Sequence, residues 1–353
     1  MRLEEHPLYR EDIRKTADLK LPWEKMQGCH ILISGATGMI GSFLADTLME
    51  RNRSGLDCTV WVMGRNEKKA RERFSYCWED PHFRFLCHDV NRELVAEDFE
   101  RMDYVVHLAS NTHPVAYATD PINTINMNVI GTHVMLSFAQ KVNAKRVAFA
   151  SSNEIYGENR GDREFFDESY CGYIDCNTLR AGYPESKRCG EALCQAYIKQ
   201  YGMDIVIPRF TRSYGPTLLS TDTKALSQFL GKGLAGEDIV LKSAGTQYYS
   251  YTYVSDAVAG LLTVLLKGET GEAYNIADEK SDIMLKDLAG IIAELSGKKV
   301  VFDLPDAVEA AGFSKATKAR LDGAKIRELG WRMEYDMREG LDRTLRILRD
   351  VRG

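Results

Sequence analysis

A phenol and an ammonium group lie four residues apart in the segment YPESK. In a helix this spacing places Tyr183 and Lys187 on one face. A nearby cation stabilises a phenolate, so such a tyrosine can act as a base near neutral pH. The segment SSNEIYG, just past a strand-like run, adds the hydroxyl of Ser152 and the carboxylate of Glu154. Ser152 can share a substrate proton with Tyr183, and Glu154 is a free carboxylate at the same edge of the sheet.

A glycine-rich turn lies between a short apolar strand, HILIS (30–34), and a stretch with apolar residues at helical spacing. Glycines allow the tight turn, the close approach of a pyrophosphate and the packing of helix on strand. The helix N-terminus adds backbone amide donors for the anion. This context predicts nucleotide binding by the loop residues Gly35, Thr37, Gly38, Met39, Ile40 and Gly41.

The end of the second strand bears on the choice of dinucleotide. NAD-binding proteins usually place Asp or Glu there for the ribose hydroxyls, but this strand ends in Gly64 and Arg65. A guanidinium suits a 2′-phosphate, which on chemistry alone favours NADP slightly. In the alternative, Arg65 belongs to a solvated helix face and only stacks on the adenine, so NAD and NADP both stay open.

Strand-like runs alternate with helical patterns between residue 29 and about residue 210. Strands separated by helices of this length indicate right-handed βαβ crossovers and a parallel sheet. The predicted fold is α/β, a Rossmann-type doubly wound parallel sheet with a smaller C-terminal α/β substrate domain at its carboxyl edge. The expected divisions are an N-terminal extension (1–27), a dinucleotide-binding Rossmann domain (28–210, to which 253–267 returns) and a mainly substrate-binding domain (211–353).

The composition excludes several classes of protein. The 353 residues include 46 Lys and Arg against 51 Asp and Glu, and the net charge of −5 does not fit a general nucleic-acid binder. The sequence contains no run of about 18 apolar residues, so no membrane partner is expected. Eight cysteines are too few for a secreted disulfide scaffold, and their spacing does not fit a zinc site. We therefore expect a cytoplasmic protein with reduced thiols and no bound metal.

Seven motifs, taken in order, resemble those of a known family: GATGMIG, HDV, HLAS, SSNEIYG, YPESK, RSYGP and YNIAD. They are similar to those of the extended short-chain dehydrogenase/reductases, the NAD(P)-dependent nucleotide-sugar epimerases, dehydratases and decarboxylases, over roughly residues 28–345. The resemblance implies that Ser152, Tyr183 and Lys187 form a catalytic triad. Tyr183 would take the proton of a sugar hydroxyl, usually at C4, while hydride passes to the nicotinamide, and Lys187 would hold the nicotinamide ribose.

The same resemblance implies the binding partners. The cofactor would be NAD or NADP, tightly bound and recycled, and its contacts would include Asp89, Val90, Leu108, Ala109 and Ser110. The substrate would be a nucleotide sugar. The amphipathic segments 126–142 and 183–200 resemble the helix pair that forms a four-helix interface in this family, which implies a homodimer.

Glu154 distinguishes the reactions that this family performs after C4 oxidation. C4-epimerases of the family generally carry no acid there, whereas dehydratases and uronate decarboxylases carry Glu, a suitable base for the C5 proton that the 4-ketone acidifies. Sugar 4,6-dehydratases often have Asp just before this Glu. This chain has Asn153 there, which cannot act as an acid, so the case for dehydration is weaker. The segment 179–188 and the loop 107–121 look closest to nucleoside-diphosphate-glucuronate decarboxylases, in which the arginine matching Arg180 pairs with the substrate carboxylate.

The leading prediction is therefore transient C4 oxidation followed by decarboxylation of a nucleoside-diphosphate uronate. The oxidised sugar is a β-keto acid, and its loss of CO2 leaves a stabilised enolate. Dehydration of a hexose and C4 epimerisation are the alternatives within the family. A non-catalytic dinucleotide-sensing protein and a simple carbonyl reductase that consumes NADPH are the alternatives outside it.

Two positions depart from the family pattern at the expected diphosphate site. The usual Asn of the segment R-x-x-N-x-Y-G-P is Arg212, and the usual Arg before the Y-x-x-D segment is Tyr249. A tyrosine cannot neutralise phosphate, so Arg212 and Arg320 are candidates to supply that charge from other directions. Alternatively, the substrate is not a standard nucleotide sugar. The predicted substrate-binding residues are Asn153, Arg180, Arg212 and Arg320.

Overall fold

Strands and helices alternate along most of the chain in the computed structural model, which describes residues 1–112, 114–219, 221–303 and 318–352. The strands are β1 (His30–Ser34), β2 (Thr59–Gly64), β3 (Phe83–Cys87), β4 (Tyr104–His107), β5 (Arg146–Phe149), β6 (Ser151–Ser152), β7 (Ile205–Phe210), β8 (Arg212–Tyr214), β9 (Ile239–Leu241), β10 (Tyr248–Tyr253), β11 (Ala273–Ile276), β12 (Asp282–Met284), β13 (Val300–Phe302) and β14 (Lys318–Ala319). The helices are α1 (Pro7–Ala17), α2 (Met39–Asn52), α3 (Glu67–Arg73), α4 (Pro114–Thr119), α5 (Pro121–Lys141), α6 (Gly182–Tyr201), α7 (Ala225–Ala235), α8 (Val254–Lys267), α9 (Leu285–Leu295), α10 (Ala324–Glu328) and α11 (Met337–Arg352).

The central sheet has the strand order β11-β7-β5-β4-β1-β2-β3, with β6 beside β7, and all its pairings are parallel. Alternate residues of β1 face opposite layers, since Ile31 and Ile33 pack in the cluster that contains α2 and α8, and Leu32 in the one that contains α5 and α6. All three are fully buried, as expected for a parallel strand covered by helices on both faces. The predicted doubly wound fold is confirmed.

Two predicted elements have different ends in the structure. The helix predicted from residue 126 begins at Pro121, because proline fits the first turn of a helix, where its missing N–H costs nothing. The strand predicted over 83–90 ends at Cys87, where the Asp89 carboxylate accepts a hydrogen bond from the Asn91 amide (3.0 Å) and turns the chain.

A second sheet lies at the carboxyl edge of β7. Its central strand, β10, pairs with β12 antiparallel and with β14 and β8 parallel. Only Thr211 separates β8 from β7, so the chain passes directly from the central sheet into this second one. The strands β9 and β13 form a further pair, and α7, α9 and α11 pack together. Ligands of open α/β sheets bind at this carboxyl edge.

The N-terminal segment contributes a packed helix to the fold. In α1, which packs on α2 and α8, the Tyr9 hydroxyl donates to Asp46 (2.5 Å). Asp12 is fully buried, accepts a hydrogen bond from Tyr253 (2.7 Å) and pairs with Arg343 of α11 (2.6 Å). A segment read from its sequence as a polar extension is therefore anchored by buried polar contacts. In the described part of the chain, the helices are too short or too polar to cross a bilayer.

Candidate active site

The turn between β1 and α2 approaches neighbouring backbone closely at its glycines. A Cβ on Gly35 would lie 2.7 Å from the Cα of Ala109, and Gly35 has a φ of +67°. A Cβ on Gly41 would lie 2.7 Å from the carbonyl oxygen of Gly35. Gly38 is the N-cap of α2 and has no side-chain acceptor, so the first amides of the helix stay available to an anion. The turn therefore fits a dinucleotide pyrophosphate, and the partly exposed residues around it are Thr37, Met39 and Ile40.

One serine fixes the loop after β4 to β1. Ser34 Oγ lies 2.8 Å from His107 Nδ1 and accepts hydrogen bonds from the amides of Leu108 (3.2 Å) and Ala109 (3.3 Å). Burial lowers the pKa of His107 to about 3, so its imidazole stays neutral. Sequence reasoning missed Ser34 and His107, because both occur within apolar strands. Their contact holds Leu108 and Ala109 against the glycine turn.

The ends of β2 and β3 carry the residues expected near the adenine. Arg65 is exposed at the end of β2, and the strand ends without a carboxylate, as the sequence indicates. Asp89 caps the turn after β3. Val90 is buried and packs closely on Gly131 of α5: a Cβ on this glycine would lie 3.1 and 3.3 Å from the two methyl groups of the valine. Arg65 is therefore a cation that is available to the adenosine side of a dinucleotide.

Ser152 and Tyr183 meet at the carboxyl edge of the sheet. Tyr183 lies in the first turn of α6, close enough to Ser152 and Ser110 that the hydroxyls of both serines lower the pKa of its phenol. Ser110 Oγ donates to Asn128 (2.7 Å), and Asn128 Nδ2 donates to Ser186 (2.9 Å), which links α5 to α6. Burial raises the pKa of Tyr183 to about 12, against the lowering effect of the Ser152 and Ser110 hydroxyls. A buried polar network of Ser110, Asn128 and Ser186 therefore lies beside the predicted catalytic tyrosine, since Ser186 Oγ donates to the Tyr183 carbonyl (2.8 Å).

Lys187 lies one turn beyond Tyr183 on α6 and is 3% exposed. Its Nζ donates to the carbonyl of Ala150 (2.8 Å) and lies 5.0 Å from the ring centroid of Phe149. Burial lowers the pKa of Lys187 to about 8. A carbonyl oxygen and an aromatic face hold this ammonium, and it lies next to the strand end that carries Ser152.

Glu154 and Arg180 form an ion pair near Tyr183, with 2.7 Å between Arg180 Nη2 and Glu154 Oε2. Both charges act on the phenol, since Glu154 raises the pKa of Tyr183 and Arg180 lowers it. The pair is partly open to solvent, whereas Asn153, next to Glu154 in a short 3₁₀ turn, is buried. The structure therefore places a carboxylate and a guanidinium beside the predicted catalytic tyrosine.

Tyr117 is a further site residue, which sequence reasoning did not single out. Its ring stacks on Tyr183, with centroids 4.9 Å apart and planes inclined by 28°. The guanidinium of Arg180 lies over the ring of Tyr117, with its Cζ 4.9 Å from the ring centroid. The three side chains form a stack that fixes the arginine relative to the phenol. The available signal was the position of Tyr117 in the loop 107–121; His113 of that loop lies outside the described residues.

Arg212 and Arg320, which the sequence predicts to bind the diphosphate, lie beside β10. Arg212 stacks on Tyr249, with its Cζ 3.6 Å from the ring centroid. Arg320 stacks on Tyr248 (4.6 Å) and on Phe165 (4.1 Å), and it pairs with an exposed glutamate. Successive side chains of a strand point to opposite faces, so adjacent tyrosines hold these guanidinium groups on different sides of β10. The structure therefore does not join the two arginines into one cluster.

The parallel sheet, the glycine turn and the serine–tyrosine–lysine group together define a dinucleotide-binding enzyme of the extended short-chain dehydrogenase/reductase class. Within this class the chain belongs to the NAD dependent epimerase/dehydratase family, whose sequence profile matches residues 31–277. The expected family is therefore confirmed.

Several curated relatives carry the name of one activity. The chain is 34% identical to UDP-glucuronic acid decarboxylase 3 of Arabidopsis thaliana over 316 residues, which cover 88% of this chain and 86% of that protein. It is 32% identical to UDP-glucuronic acid decarboxylase 1 of Xenopus tropicalis over 322 residues, covering 90% and 72%. The sequence therefore aligns with these relatives far beyond the glycine turn.

Solved structures with similar folds represent two other activities. The dTDP-glucose 4,6-dehydratase of Streptomyces venezuelae, crystallised with NAD, superimposes with a TM-score of 0.78 at 27% identity, covering 92% of this chain and 98% of that one. The UDP-glucose 4-epimerase of Thermotoga maritima, crystallised with UDP-glucose, gives a TM-score of 0.79 at 25% identity, covering 92% and 100%. The fold is thus shared by a dehydratase and an epimerase, and the side chains must distinguish the reaction.

Proposed function

We propose that the protein decarboxylates a nucleoside-diphosphate uronate, with NAD as a recycled cofactor. The observation that carries this proposal is the Glu154–Arg180 ion pair, at 2.7 Å, near Tyr183. A C4 epimerisation needs no charged pair there, whereas a uronate decarboxylation must hold a carboxylate at C6 and deliver a proton to C5. The names of the curated relatives support the same choice.

The residues that would hold NAD fit its chemistry. The glycine turn and the free amides of α2 would bind the pyrophosphate, and Lys187 would bind the nicotinamide ribose. When bound, NAD accepts a hydride from C4 and later returns it. The family description and the NAD-bound dehydratase support NAD over NADP, with Arg65 stacking on the adenine. Titration of native protein and Arg65→Ala with both dinucleotides tests this choice: a native preference for NADP that the variant loses contradicts it.

Tyr183 would remove the proton of the C4 hydroxyl, with Ser152 sharing the hydrogen bond. Its pKa of about 12 is high for a base at neutral pH, so positive charge near the phenol is needed for this step. Arg180, stacked over Tyr117, lies close enough to lower the pKa of Tyr183. The arginine would therefore serve both the base and the substrate carboxylate.

A uronate carboxylate would compete with Glu154 for Arg180. A guanidinium binds a carboxylate through parallel N–H donors, and the present pair is partly open to solvent, so an exchange is sterically accessible. Once the substrate occupies Arg180, the Glu154 carboxylate is released from the ion pair. Glu154, whose side chain is partly open to solvent, can then carry a proton from water to C5 of the enolate that remains after CO2 has left. A neutral hexose would leave the original ion pair in place.

Dehydration of a nucleotide hexose is the second candidate. Glu154 near Tyr183 suits the removal of a C5 proton, and the Streptomyces venezuelae dehydratase has the same fold. Against this reaction, the neighbouring residue is the buried amide Asn153, which cannot protonate the leaving 6-hydroxyl. Dehydration therefore ranks below decarboxylation.

Mass spectrometry of reaction products tests the proposal directly. Native protein with NAD would be incubated with UDP-glucuronate and, in parallel, with dTDP-glucose and UDP-glucose. We expect loss of CO2 from the uronate. Loss of water from a hexose would instead identify a dehydratase, and an isomer of unchanged mass an epimerase. Steady consumption of NADPH with a simple ketone would identify a carbonyl reductase.

Glu154→Gln separates C5 chemistry from epimerisation. We expect a loss of about 100-fold or more in CO2 release, because proton transfer by a positioned carboxyl commonly contributes that much. Glu272→Gln, which removes a surface ion pair with Lys325 (2.6 Å), is the matched control and should retain native activity. Full activity of Glu154→Gln would rule out both decarboxylation and dehydration by this site.

The assembly and the compartment are also part of the proposal. The isoleucines Ile122, Ile125 and Ile130 of α5 are exposed, and α5 packs beside α6, so this helix pair offers an apolar surface to a second copy of the chain. Sedimentation of native protein and of Ile122→Glu should show a dimer and a monomer, respectively; a native monomer contradicts the proposed dimer.

The eight cysteines are free thiols, which supports a reducing cytoplasmic location.

A further inference from the structure

The guanidinium of Arg212 lies over the ring of Tyr249, which is on the neighbouring strand. Its Cζ is 3.6 Å from the ring centroid, a close cation–π contact. The register of β8 and β10 explains the contact: Arg212 pairs with Tyr251, and Tyr249 lies two residues earlier on the same face of β10. The tyrosine is buried, whereas the arginine is half-buried. The ring of Tyr249 therefore restrains the position of the guanidinium.

Arg212 differs from the other enclosed arginines of the described chain. Arg209 pairs with Glu191 (2.7 Å), and Arg343 pairs with Asp12 (2.6 Å). Among the described residues Arg212 forms no ion pair, and its Nη1 is buried without a hydrogen-bond partner. A buried donor and a cation without an anion are both costly unless something compensates them. An anionic ligand would supply the missing partner.

The stack lies near the charged groups of the active site. Burial raises the pKa of Tyr249, while the charges of Arg212, Glu154 and Arg180 also act on it. Arg180 and Glu154 lie by the phenol of Tyr183 and serve the C4 to C6 side of a sugar. C1, which carries the phosphate, lies across the ring from C4. A guanidinium on β8, outside the sheet that holds Ser152, is suited to that far side.

We propose that Arg212, positioned by the ring of Tyr249, is the ligand for the diphosphate of the nucleotide-sugar substrate. This inference rests on the proposed function for the class of substrate. A planar guanidinium binds phosphate oxygens through two parallel N–H donors, and stacking on a ring preorganises that geometry. Arg320, on the other face of β10 and paired with Glu164 (2.8 Å), does not share this role.

Calorimetric titration of the NAD-loaded protein with UDP tests the inference. Arg212→Gln should weaken UDP about 100-fold, the usual consequence of removing one partner of a buried charge pair. Arg212→Lys should recover only part of this loss, since an ammonium lacks the planar fork. Tyr249→Leu should weaken UDP about 10-fold and Tyr249→Phe less, because phenylalanine keeps a ring under the guanidinium. Arg338→Gln, which removes an exposed ion pair with Glu294, is the control and should match native affinity.

The reciprocal variant Arg212→Asn/Tyr249→Arg provides a sharper test. It moves the cation from β8 to β10, and we expect it to bind UDP more tightly than Arg212→Asn alone. Affinity for NAD should be native in all variants, which excludes misfolding as the cause of weaker UDP binding.

Two outcomes distinguish this inference from the proposed function. If Arg212→Gln binds UDP as the native protein does, or if the native protein binds none of UDP, dTDP, GDP and ADP, the diphosphate role is wrong, whatever the reaction. If Arg212→Gln weakens a nucleoside diphosphate but native protein releases no CO2 from UDP-glucuronate, the diphosphate role stands and the decarboxylase assignment fails.

Discussion

The proposed dinucleotide side and the proposed sugar side of this site are built from different kinds of contact. The dinucleotide side consists mainly of backbone: a glycine turn, the first amides of α2, and a loop that Ser34 holds against β1. The sugar side consists of side chains that touch across the fold, namely Arg180 on Tyr117 and Arg212 on Tyr249. Backbone geometry leaves a local pattern in the sequence, whereas these stacks join residues far apart in the chain.

Substitution of Tyr183, where the two sides meet, should give the largest effect. Tyr183→Phe removes the proposed base, and we expect turnover to fall about 1,000-fold or more, with NAD affinity little changed. The matched control is Tyr197→Phe on the same helix, which loses a hydrogen bond to His133 (2.9 Å) and should retain activity. The measurement is the rate of CO2 release together with NAD titration. Substantial turnover by Tyr183→Phe would remove Tyr183 from the mechanism.

Gly35→Ala should break the dinucleotide side. Its Cβ would lie 2.7 Å from the Cα of Ala109, so we expect NAD affinity to fall about 100-fold and stability by about 1–3 kcal/mol, the cost of such backbone strain. Gly55→Ala is the control, because Gly55 also has a positive φ, +87°, but has nothing within 4 Å of the new Cβ. Equal NAD affinity in the two variants would show that the close approach does not matter for binding.

Arg180→Gln should break the sugar side while leaving the dinucleotide side intact. We expect UDP-glucuronate to bind about 10- to 100-fold more weakly, because its carboxylate loses a charge-assisted pair. UDP-glucose lacks that carboxylate and serves as the control ligand, so its affinity should change little. The comparison of the two dissociation constants is the measurement. An equal loss of affinity for both ligands would mean that Arg180 supports the fold of the site and does not bind the carboxylate.

The smallest effect concerns the pH dependence of stability without cofactor. Burial lowers the pKa of Lys187 to about 8, below its ordinary value of 10.5, so the folded state disfavours the charged form. Stability should therefore rise with pH between about 8 and 10.5, where the unfolded chain holds this proton and the folded chain has released it. Near pH 7, Lys187→Met should be more stable than the native protein by at most about 3 kcal/mol, and this difference should shrink as pH rises.

Thermal melting of the cofactor-free proteins from pH 7 to pH 10 tests this effect. The matched control is Lys199→Met, which replaces an exposed lysine of the same helix. A constant difference between native protein and Lys187→Met across this range would show that the buried ammonium keeps an ordinary pKa.

The sequence predicts much of the central sheet, because its signals are local. The apolar run of β1, the glycines of the following turn and the four-residue spacing of Tyr183 and Lys187 each lie within one element or one junction. The partner of Arg180 could not be predicted, since Glu154 is 26 residues away and a nearby acid on its own segment fits the spacing equally well. Tyr117 was missed because stacking on Tyr183 depends on how the loop after β4 lies over α6.

The first helix also escaped sequence reasoning, since its charged residues match those of a solvated segment, whereas Asp12 is paired with Arg343. Arg343 also donates to the carbonyl of Leu8, 335 residues earlier in the chain. During synthesis on the ribosome, α1 therefore emerges long before the side chain that neutralises its buried carboxylate. The helix can dock against its neutralising partner only after α11 has left the exit tunnel, so a helix that is translated later completes the anchoring of an earlier one.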